Sequence, residues 1–454
     1  MSTTETCAAT SAPPAGTWLS RWVPEDEAFW AKRGSTRAWK TLAITTASLT
    51  MAFVTWFVVS ALVVRLPQVG FGLTPSQLFW LTAMPGLAGG TLRMLHMFFT
   101  PLFGTRHVVA LSTASLILPL AGWAWAVQDP STPYWVLMLL AFAAGLGGGN
   151  FSSFMPSTSL FFPKRLQGTA LAVQAGIGNF GVSLVQFVTP WIIGAAAFAS
   201  LVGDGQVMNR AGVQSTVWLQ NATLVWIPFV LVLALVSWVS LKSVPVKANL
   251  RQQLDIFGNR HTWAMTSLYM MTFGCFSGLA GTFPLLIKQT YGHLPGAPDP
   301  LAFAFLGPLV GSLLRVVAGP ISDKLGGARV THWAGIGMAV SALAVPLVTD
   351  AQDLSTFPWF VAAMLSLFAF AGIGNASTFK QMPMIFAPRQ AGGVIGFTAA
   401  IAAYGPFLFG LIFGWSFAIA GHLGPAFWGS AAFFAFNVAL NWWLYARRGA
   451  ATPC

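Results

Sequence analysis

The chain has 454 residues, of which 56% are hydrophobic and only 7% are charged. An ordinary soluble domain carries about 25% charged residues, and a chain this poor in charge could not cover a water-facing surface. Together with a mean hydropathy of +0.69, this composition excludes a soluble multidomain protein and predicts an integral membrane protein. The apolar segments do not alternate with period two, which favours helical spans over a membrane barrel.

The net charge of +12 comes from basic residues in short loops between apolar segments. Nucleic acid requires clustered Lys and Arg on a water-facing surface, so we expect the lipid bilayer and no nucleic acid as partner. Cys7, Cys275 and Cys454 are far apart in sequence and have no metal-ligand spacing, so isolated thiols are expected. The polar N-terminal stretch lacks the apolar core of a signal peptide, and none is predicted.

Twelve apolar windows follow one another along the chain, and each predicts a membrane-spanning helix. In the first half they lie at 41–64, 77–100, 107–127, 134–161, 167–199 and 217–241. In the second half they lie at 262–288, 301–322, 330–349, 357–387, 391–420 and 424–446. The windows 134–161, 167–199 and 391–420 exceed one bilayer thickness, so we expect these helices to tilt, break or project.

Lys and Arg residues decide the expected orientation. Seventeen lie in tails and loops on one side of the predicted spans, against three on the other, Arg65, Arg210 and Lys288. Because Lys- and Arg-rich loops stay inside, we expect both termini in the cytoplasm and the protein in the inner (cytoplasmic) membrane. The expected units are an N-terminal tail, a six-helix bundle, a linker, a second bundle and a C-terminal tail, at 1–40, 41–241, 242–261, 262–446 and 447–454.

The two halves repeat a set of motifs. Segment 85–93 of the second helix resembles segment 308–315 of the eighth, and each runs from Pro to Arg. Segments 145–156 and 372–383 both run from glycines through an asparagine to Met-Pro. A repeat offset by six helices predicts two bundles related by a pseudo-twofold axis along the membrane normal, with a substrate site between them.

Two arginines inside the spans are the main candidates for function. None of the eleven acidic residues falls within a span, and a charge at the bilayer centre costs roughly 3 kcal/mol without a partner. Arg93 and Arg315 occupy matching repeat positions, so we predict that they face each other and bind an anion. The alternative is a structural role, in which each caps backbone carbonyls or snorkels. Lys380 is either a third cavity cation or a snorkelling lysine, and His96 is expected to be packed.

Glycine runs surround two buried asparagines in the fourth and fifth helices. Such runs allow close helix packing in lipid and close approach of a small ligand to the backbone. Asn179 is expected to contact the ligand, together with Gly176 and Gly178 beside it. For Asn150, packing and ligand contact both stay open.

Three segments, Gly147-Gly-Gly-Asn-Phe-Ser-Ser, Phe161-Phe-Pro-Lys and Ala175-Gly-Ile-Gly-Asn-Phe-Gly181, resemble the nitrate signature of the nitrate/nitrite porter family. That family is part of the major facilitator superfamily, and the resemblance extends over nearly the whole chain. It implies the all-α major facilitator fold with twelve transmembrane helices. It also implies a set of anion contacts from both halves: Arg93, Arg315, Phe151, Phe273, Tyr269 and Asn179.

Helix eleven departs from the family pattern. Ala399, Ala402 and Pro406 stand where Ser or Gly is expected. Among its residues, only Gly396 is therefore carried over as a candidate contact.

These features predict a nitrate/nitrite transporter that exchanges nitrate for nitrite by alternating access, acts as a monomer and needs no cofactor. Antiport is favoured because no carboxylate lies in a span and an empty carrier would bring two arginines together without an anion. A proton-coupled nitrate symporter is the alternative, and a membrane nitrate sensor is the alternative of another class. An enzyme is not expected, because no span holds a carboxylate pair, a His cluster or a nucleophile with a base.

Overall fold

The structure, a computed structural model, describes residues 16–197, 203–210, 213–245, 254–348, 352–450, 452 and 454. Cys7 lies outside this part of the chain. The described part contains twelve long helices, α1 to α12. Their bounds are Glu27–Leu62, Pro75–His96, Phe99–Ala126, Tyr134–Ser159, Lys164–Ile192, Asn221–Ser240, Arg260–Tyr291, Pro300–Leu325, Gly327–Val348, Leu354–Ile385, Gln390–Ala420 and Gly424–Asn441. Ten are long and apolar enough to cross a membrane, and the fold places α2 and α12 alongside them.

The helices form two bundles of six, α1–α6 and α7–α12. Within the bundles α1 packs along α5, and α10 packs along both α8 and α9. Across the interface α2 packs along α11 and α5 along α8. When the two halves are exchanged, α2 corresponds to α8 and α11 corresponds to α5. The first pair then becomes the second, as a twofold relation requires. Matching positions of the two halves have positive φ: Gly104, at a kink near the start of α3, has φ of 77°, and Gly326, between α8 and α9, has φ of 90°. The predicted all-α fold of two related six-helix bundles is confirmed.

Among the interrupted helices, α4, α7 and α11 are the ones that contribute to the site described below. In α4 the regular hydrogen bonding breaks at Gly145, and in α11 it breaks at Ala403 and Tyr404, just before Pro406. Proline lacks an N–H and its ring disfavours a helical residue before it. In α7, one π-helical turn spans Met270–Gly274. Of the three long predicted windows, two therefore contain breaks, whereas α5 is continuous over 29 residues.

Three helix ends lie well away from the predicted positions, and one of them is the start of the third helix, at Phe99 and not at 107. The first helix begins at Glu27, well before position 41. The fifth ends at Ile192, short of position 199, because the chain turns there and the N–H of Trp218 donates to the carbonyl of Ile193 at 2.7 Å. Positions 198 and 199 lie outside the described residues.

A β-hairpin that the sequence analysis did not predict connects α5 to α6. Its strands β1, Gln206–Arg210, and β2, Val213–Val217, pair antiparallel with Gln206 opposite Val217. We call the end of the molecule with this hairpin the far end. At the opposite, near end, Trp18 pairs with Ser243 and the carbonyl of Cys454 accepts from the N–H of Ala328.

Candidate functional site

Arg93 projects from α2 into the interface between the bundles and is fully buried. Its Nε donates to the carbonyl of Gly148 in α4 at 2.8 Å, and its Nη1 donates to the carbonyl of Ala399 in α11 at 2.9 Å. Its Nη2 has no partner among the described residues. Backbone carbonyls from both bundles thus fix the guanidinium and leave one edge of it free to donate.

Two phenylalanines, one from each bundle, lie next to this guanidinium. Its central carbon lies 4.5 Å from the ring centroid of Phe151 and 5.1 Å from that of Phe273. The two rings are 6.3 Å apart and inclined by 28°. A cation within about 6 Å of a ring is stabilised by the negative charge density of the π-system. Because the rings are much closer to each other than the sum of their distances from the guanidinium, they lie next to the Arg93 group and not on opposite sides of it.

The second bundle contributes Arg315 from α8 and Tyr269 from α7. The Nη1 of Arg315 is buried without a partner among the described residues, as is the Tyr269 hydroxyl. Tyr269 lies close to both guanidinium groups, and its hydroxyl is near hydrogen-bonding range of the Arg315 guanidinium. Its ring stacks on Phe273 at 5.4 Å, where the π-helical turn of α7 begins. Such turns often occur at functional sites because they change which side chains share a helix face.

Asn179 of α5 is completely buried, and neither its amide nitrogen nor its oxygen has a partner among the described residues. Asn375 of α10 is buried in the same way and is equally unpartnered. Nearly all buried polar groups in proteins are hydrogen-bonded. These two amides therefore have hydrogen-bonding capacity left for a partner other than the described residues, such as water or a ligand.

The other four candidates lie at helix contacts. The Asn150 amide donates to the carbonyl of Ser112 in α3 at 3.4 Å. The three glycines each adjoin one side chain of a neighbouring helix: Gly176 adjoins Val316, Gly178 adjoins Leu49, and Gly396 adjoins Met97.

The contacts of Lys380 and His96 show the environment of each side chain. Lys380 forms an ion pair with Asp323 at the near end of the molecule, and both side chains are exposed. This is the second of its two predicted environments, away from the buried arginines. His96 is buried, with Nδ1 at 2.9 Å from the Ser153 hydroxyl, as expected for a packed histidine.

Sequence reasoning did not find the carbonyls of Gly148 and Ala399 as partners of Arg93. Every residue type offers a carbonyl, so no side-chain pattern signals one. The nearest signal was the presence of Ala399 in the helix that departs from the family pattern.

No described carboxylate contacts these groups, and the described residues contain no cluster of three or more potential metal ligands. Every side chain of the central set is at most 5% exposed. Unpaired N–H groups of two arginines and a tyrosine hydroxyl are thus buried close to aromatic rings, an arrangement suited to an anion. Two related six-helix bundles around a central polar site define the architecture of a secondary transporter.

The comparisons with known proteins agree with this class. The family model of the Major Facilitator Superfamily matches residues 44–402. The chain is 63% identical to the probable nitrate/nitrite antiporter NarK2 of Thermus thermophilus, over 97% of this chain and 99% of that protein. It is 35% identical to the nitrate/nitrite transporter NarU of Escherichia coli, over 95% and 96%. The chain belongs to the nitrate/nitrite porter family of the Major Facilitator Superfamily.

Solved structures support the fold alone. A bacterial homologue of the human lysosomal transporter Spinster, inward-facing and occupied, gives a TM-score of 0.66 at 15% identity and covers 89% of this chain and 96% of its own. A D-xylose–proton symporter gives 0.65 at 16% identity, over 88% and 96%.

Proposed function

We propose that this protein is a nitrate/nitrite antiporter that takes up nitrate and releases nitrite by alternating access. The observation that carries the proposal is the pair of buried arginines, one from each bundle, whose free N–H groups have no carboxylate partner among the described residues. An anion that contacts both Arg93 and Arg315 would connect the two halves. The relatives named as nitrate/nitrite transporters support the identity of that anion.

The shape of the site favours a planar anion. A guanidinium edge presents two parallel N–H groups, which match two oxygens of a planar oxyanion. The rings of Phe151 and Phe273 lie next to the Arg93 group and leave little height for a tetrahedral ion. Doubly charged sulfate would also lose more hydration energy on entering a buried site.

Exchange is favoured over proton symport by the surroundings of the titratable groups. Proton coupling usually uses Asp, Glu or His in the pathway. Of the histidines in the described helices, His107, His261 and His332 lie near the starts of α3, α7 and α9. His96, deeper in the bundle, is engaged with Ser153, and the carboxylate of Asp323 pairs with Lys380 at the near end. A bound anion would offset part of the repulsion between Arg93 and Arg315, so the loaded carrier should reorient more easily than the empty one.

The remaining parts of the proposal concern placement. The seventeen basic residues on one side against three on the other support an inner-membrane protein with both termini in the cytoplasm. We further propose that the monomer, with lipid as its surroundings, suffices for transport, and that it performs no covalent chemistry and uses no cofactor.

Nitrate uptake into proteoliposomes tests this function. Vesicles are preloaded with nitrite, with nitrate, with sulfate or with buffer alone, and uptake of labelled nitrate is followed with and without a pH gradient. We expect rapid uptake only after nitrite or nitrate preloading, unaffected by collapse of the gradient.

The other outcomes separate the alternatives. Uptake into empty vesicles driven by an inward proton gradient would establish the symporter and refute exchange. Nitrate binding without any flux would favour the sensor. Uptake driven by internal sulfate would show that the site does not select planar ions.

A further inference from the structure

Asn375 is a buried polar residue without a role in the site as described so far. It lies on α10, its side chain is 0% exposed, and both amide atoms lack a partner among the described residues. A primary amide can donate two hydrogen bonds and accept two. Leaving all of them unmade in a buried position lowers stability, so the position calls for a functional explanation.

The contacts of α10 locate this amide. Gly372, three residues earlier, lies so close to α8 that a Cβ there would be 2.8 Å from the Gly311 backbone. Phe379, four residues later, has its ring centroid 5.8 Å from that of Tyr269 in α7. Residues three and four apart share a helix face. Asn375 therefore faces the space between α7 and α8, next to Tyr269.

Contacts between α8 and α10 also show how deep Asn375 lies along the helix bundle. Helices α8 and α10 run in the same direction, since they meet first at Gly311 and Gly372 and later at the Asp323–Lys380 ion pair. Arg315 is one turn beyond Gly311, as Asn375 is about one turn beyond Gly372. The Asn375 amide and the unpaired Nη1 of Arg315 thus lie at the same level.

The internal repeat points to the same role. The matching Met-Pro pairs begin at 155 and 382, and counting back seven residues gives Gly148 in the first half and Asn375 in the second. The carbonyl of Gly148 accepts from the Nε of Arg93. At the equivalent position near Arg315, the second half therefore has an amide side chain, which can accept and also donate.

We propose that Asn375 is a further anion-binding residue, which in the anion-bound site accepts from Arg315 and donates an N–H to the oxyanion. This inference rests on the proposed function, because it takes nitrate as the ligand. An amide can perform both tasks at once, which an apolar side chain cannot, and it adds a neutral donor without increasing the positive charge of the site.

The test measures nitrate binding and stability separately in purified full-length protein. For Asn375→Leu, which removes both hydrogen-bonding atoms at similar volume, we expect about a tenfold higher Kd for nitrate by calorimetry. Its melting temperature without nitrate should not fall, because an unsatisfied amide has been removed. Asn375→Ser provides a smaller variant if the leucine disturbs folding, and the same rise in Kd is expected.

The matched control is Asn441→Leu. Asn441 is also fully buried, but its amide donates to the carbonyl of Ala328 at 2.8 Å, so its loss should lower the melting temperature and leave Kd unchanged. An unchanged Kd in both Asn375 variants, or a melting temperature that falls as in the control, would overturn the proposal.

Nitrate binding by the wild type and by Arg93→Lys distinguishes failure of the proposed function from failure of the Asn375 proposal. If wild type does not bind nitrate, the proposed function fails. If only Arg93→Lys loses binding, the Asn375 proposal alone fails.

Discussion

The Arg93 guanidinium combines a structural and a binding role within one side chain. Carbonyls of Gly148 and Ala399 hold two of its nitrogens, one from each bundle, while Nη2 remains free. Only a planar group with several fixed donors can satisfy both carbonyls and still donate to a ligand. The two alternatives of the sequence analysis, carbonyl capping and anion binding, therefore do not exclude each other.

Replacement of either arginine by lysine tests the need for this planar group. Arg93→Lys and Arg315→Lys keep the charge but lose the paired donors, a loss of roughly 1.5–3 kcal/mol, so nitrate affinity should fall about 10- to 100-fold. Exchange assays with equal amounts of reconstituted protein measure the effect. Arg448→Lys is the control, because Arg448 is exposed at the near end and should exchange normally. Near-normal exchange by both interior variants would indicate that charge alone suffices.

At the scale of the elements, the irregular segments of α7 and α11 pack against each other. Gly274 ends the π-helical turn of α7, and Gly405 begins the second part of α11. A Cβ on Gly405 would lie within 2.7 Å of the Gly274 backbone. Because backbone atoms cannot rotate away as a side chain can, this contact requires glycine. It holds the Phe273 turn against the helix that supplies the Ala399 carbonyl.

Gly405→Ala should therefore force the two helices apart. We expect a destabilisation of about 1–3 kcal/mol, as for other overpacked buried sites, together with weaker nitrate binding because Phe273 and Ala399 shift. Thermal unfolding in detergent and nitrate titration measure both effects. Gly429→Ala in α12 is the matched control, since a Cβ there meets nothing within 4 Å and alanine favours the helix. Equal stability of the two variants would contradict the packing argument.

What the sequence predicts well follows from strong physical signals. Apolar windows reveal the helices because lipid demands about 20 apolar residues, and Arg93 and Arg315 stand out because charge in a span is costly. The hairpin Gln206–Arg210 and Val213–Val217 was missed, since two short, largely exposed strands have little hydrophobic pattern. The π turn and the Ala399 carbonyl were missed because backbone geometry depends on neighbouring helices rather than on local residue type.

At the scale of the whole molecule, the far end is closed by charges that connect the bundles. Arg65, at the end of α1, forms hydrogen bonds of 2.8 and 2.6 Å with both oxygens of Asp299, which precedes the body of α8. Arg210 of the hairpin reaches the same carboxylate at 3.0 Å. Lys288 of α7 donates to the carbonyl of Val64 at 2.9 Å. All three basic residues of the sparsely charged side therefore join one seal, which must open if the site alternates between the two sides.

Asp299→Asn should weaken this seal. Arg65 is only 2% exposed, and removing the partner of a buried charge costs about 3–5 kcal/mol, so the closed far end should lose stability relative to the open one. Gly281→Cys, in a protein with Cys7, Cys275 and Cys454 replaced by alanine, reports opening. Its Cβ would be 3.6 Å from Phe57, beside a small cavity between the bundles. We expect a water-soluble maleimide to label Gly281→Cys more than about tenfold faster when Asp299→Asn is also present.

Asp353→Asn is the control, because that carboxylate caps only its own turn through the N–H of Ser355. Equal labelling rates in the Asp299 variant and the parent protein would show that the ion pairs do not hold the far end closed.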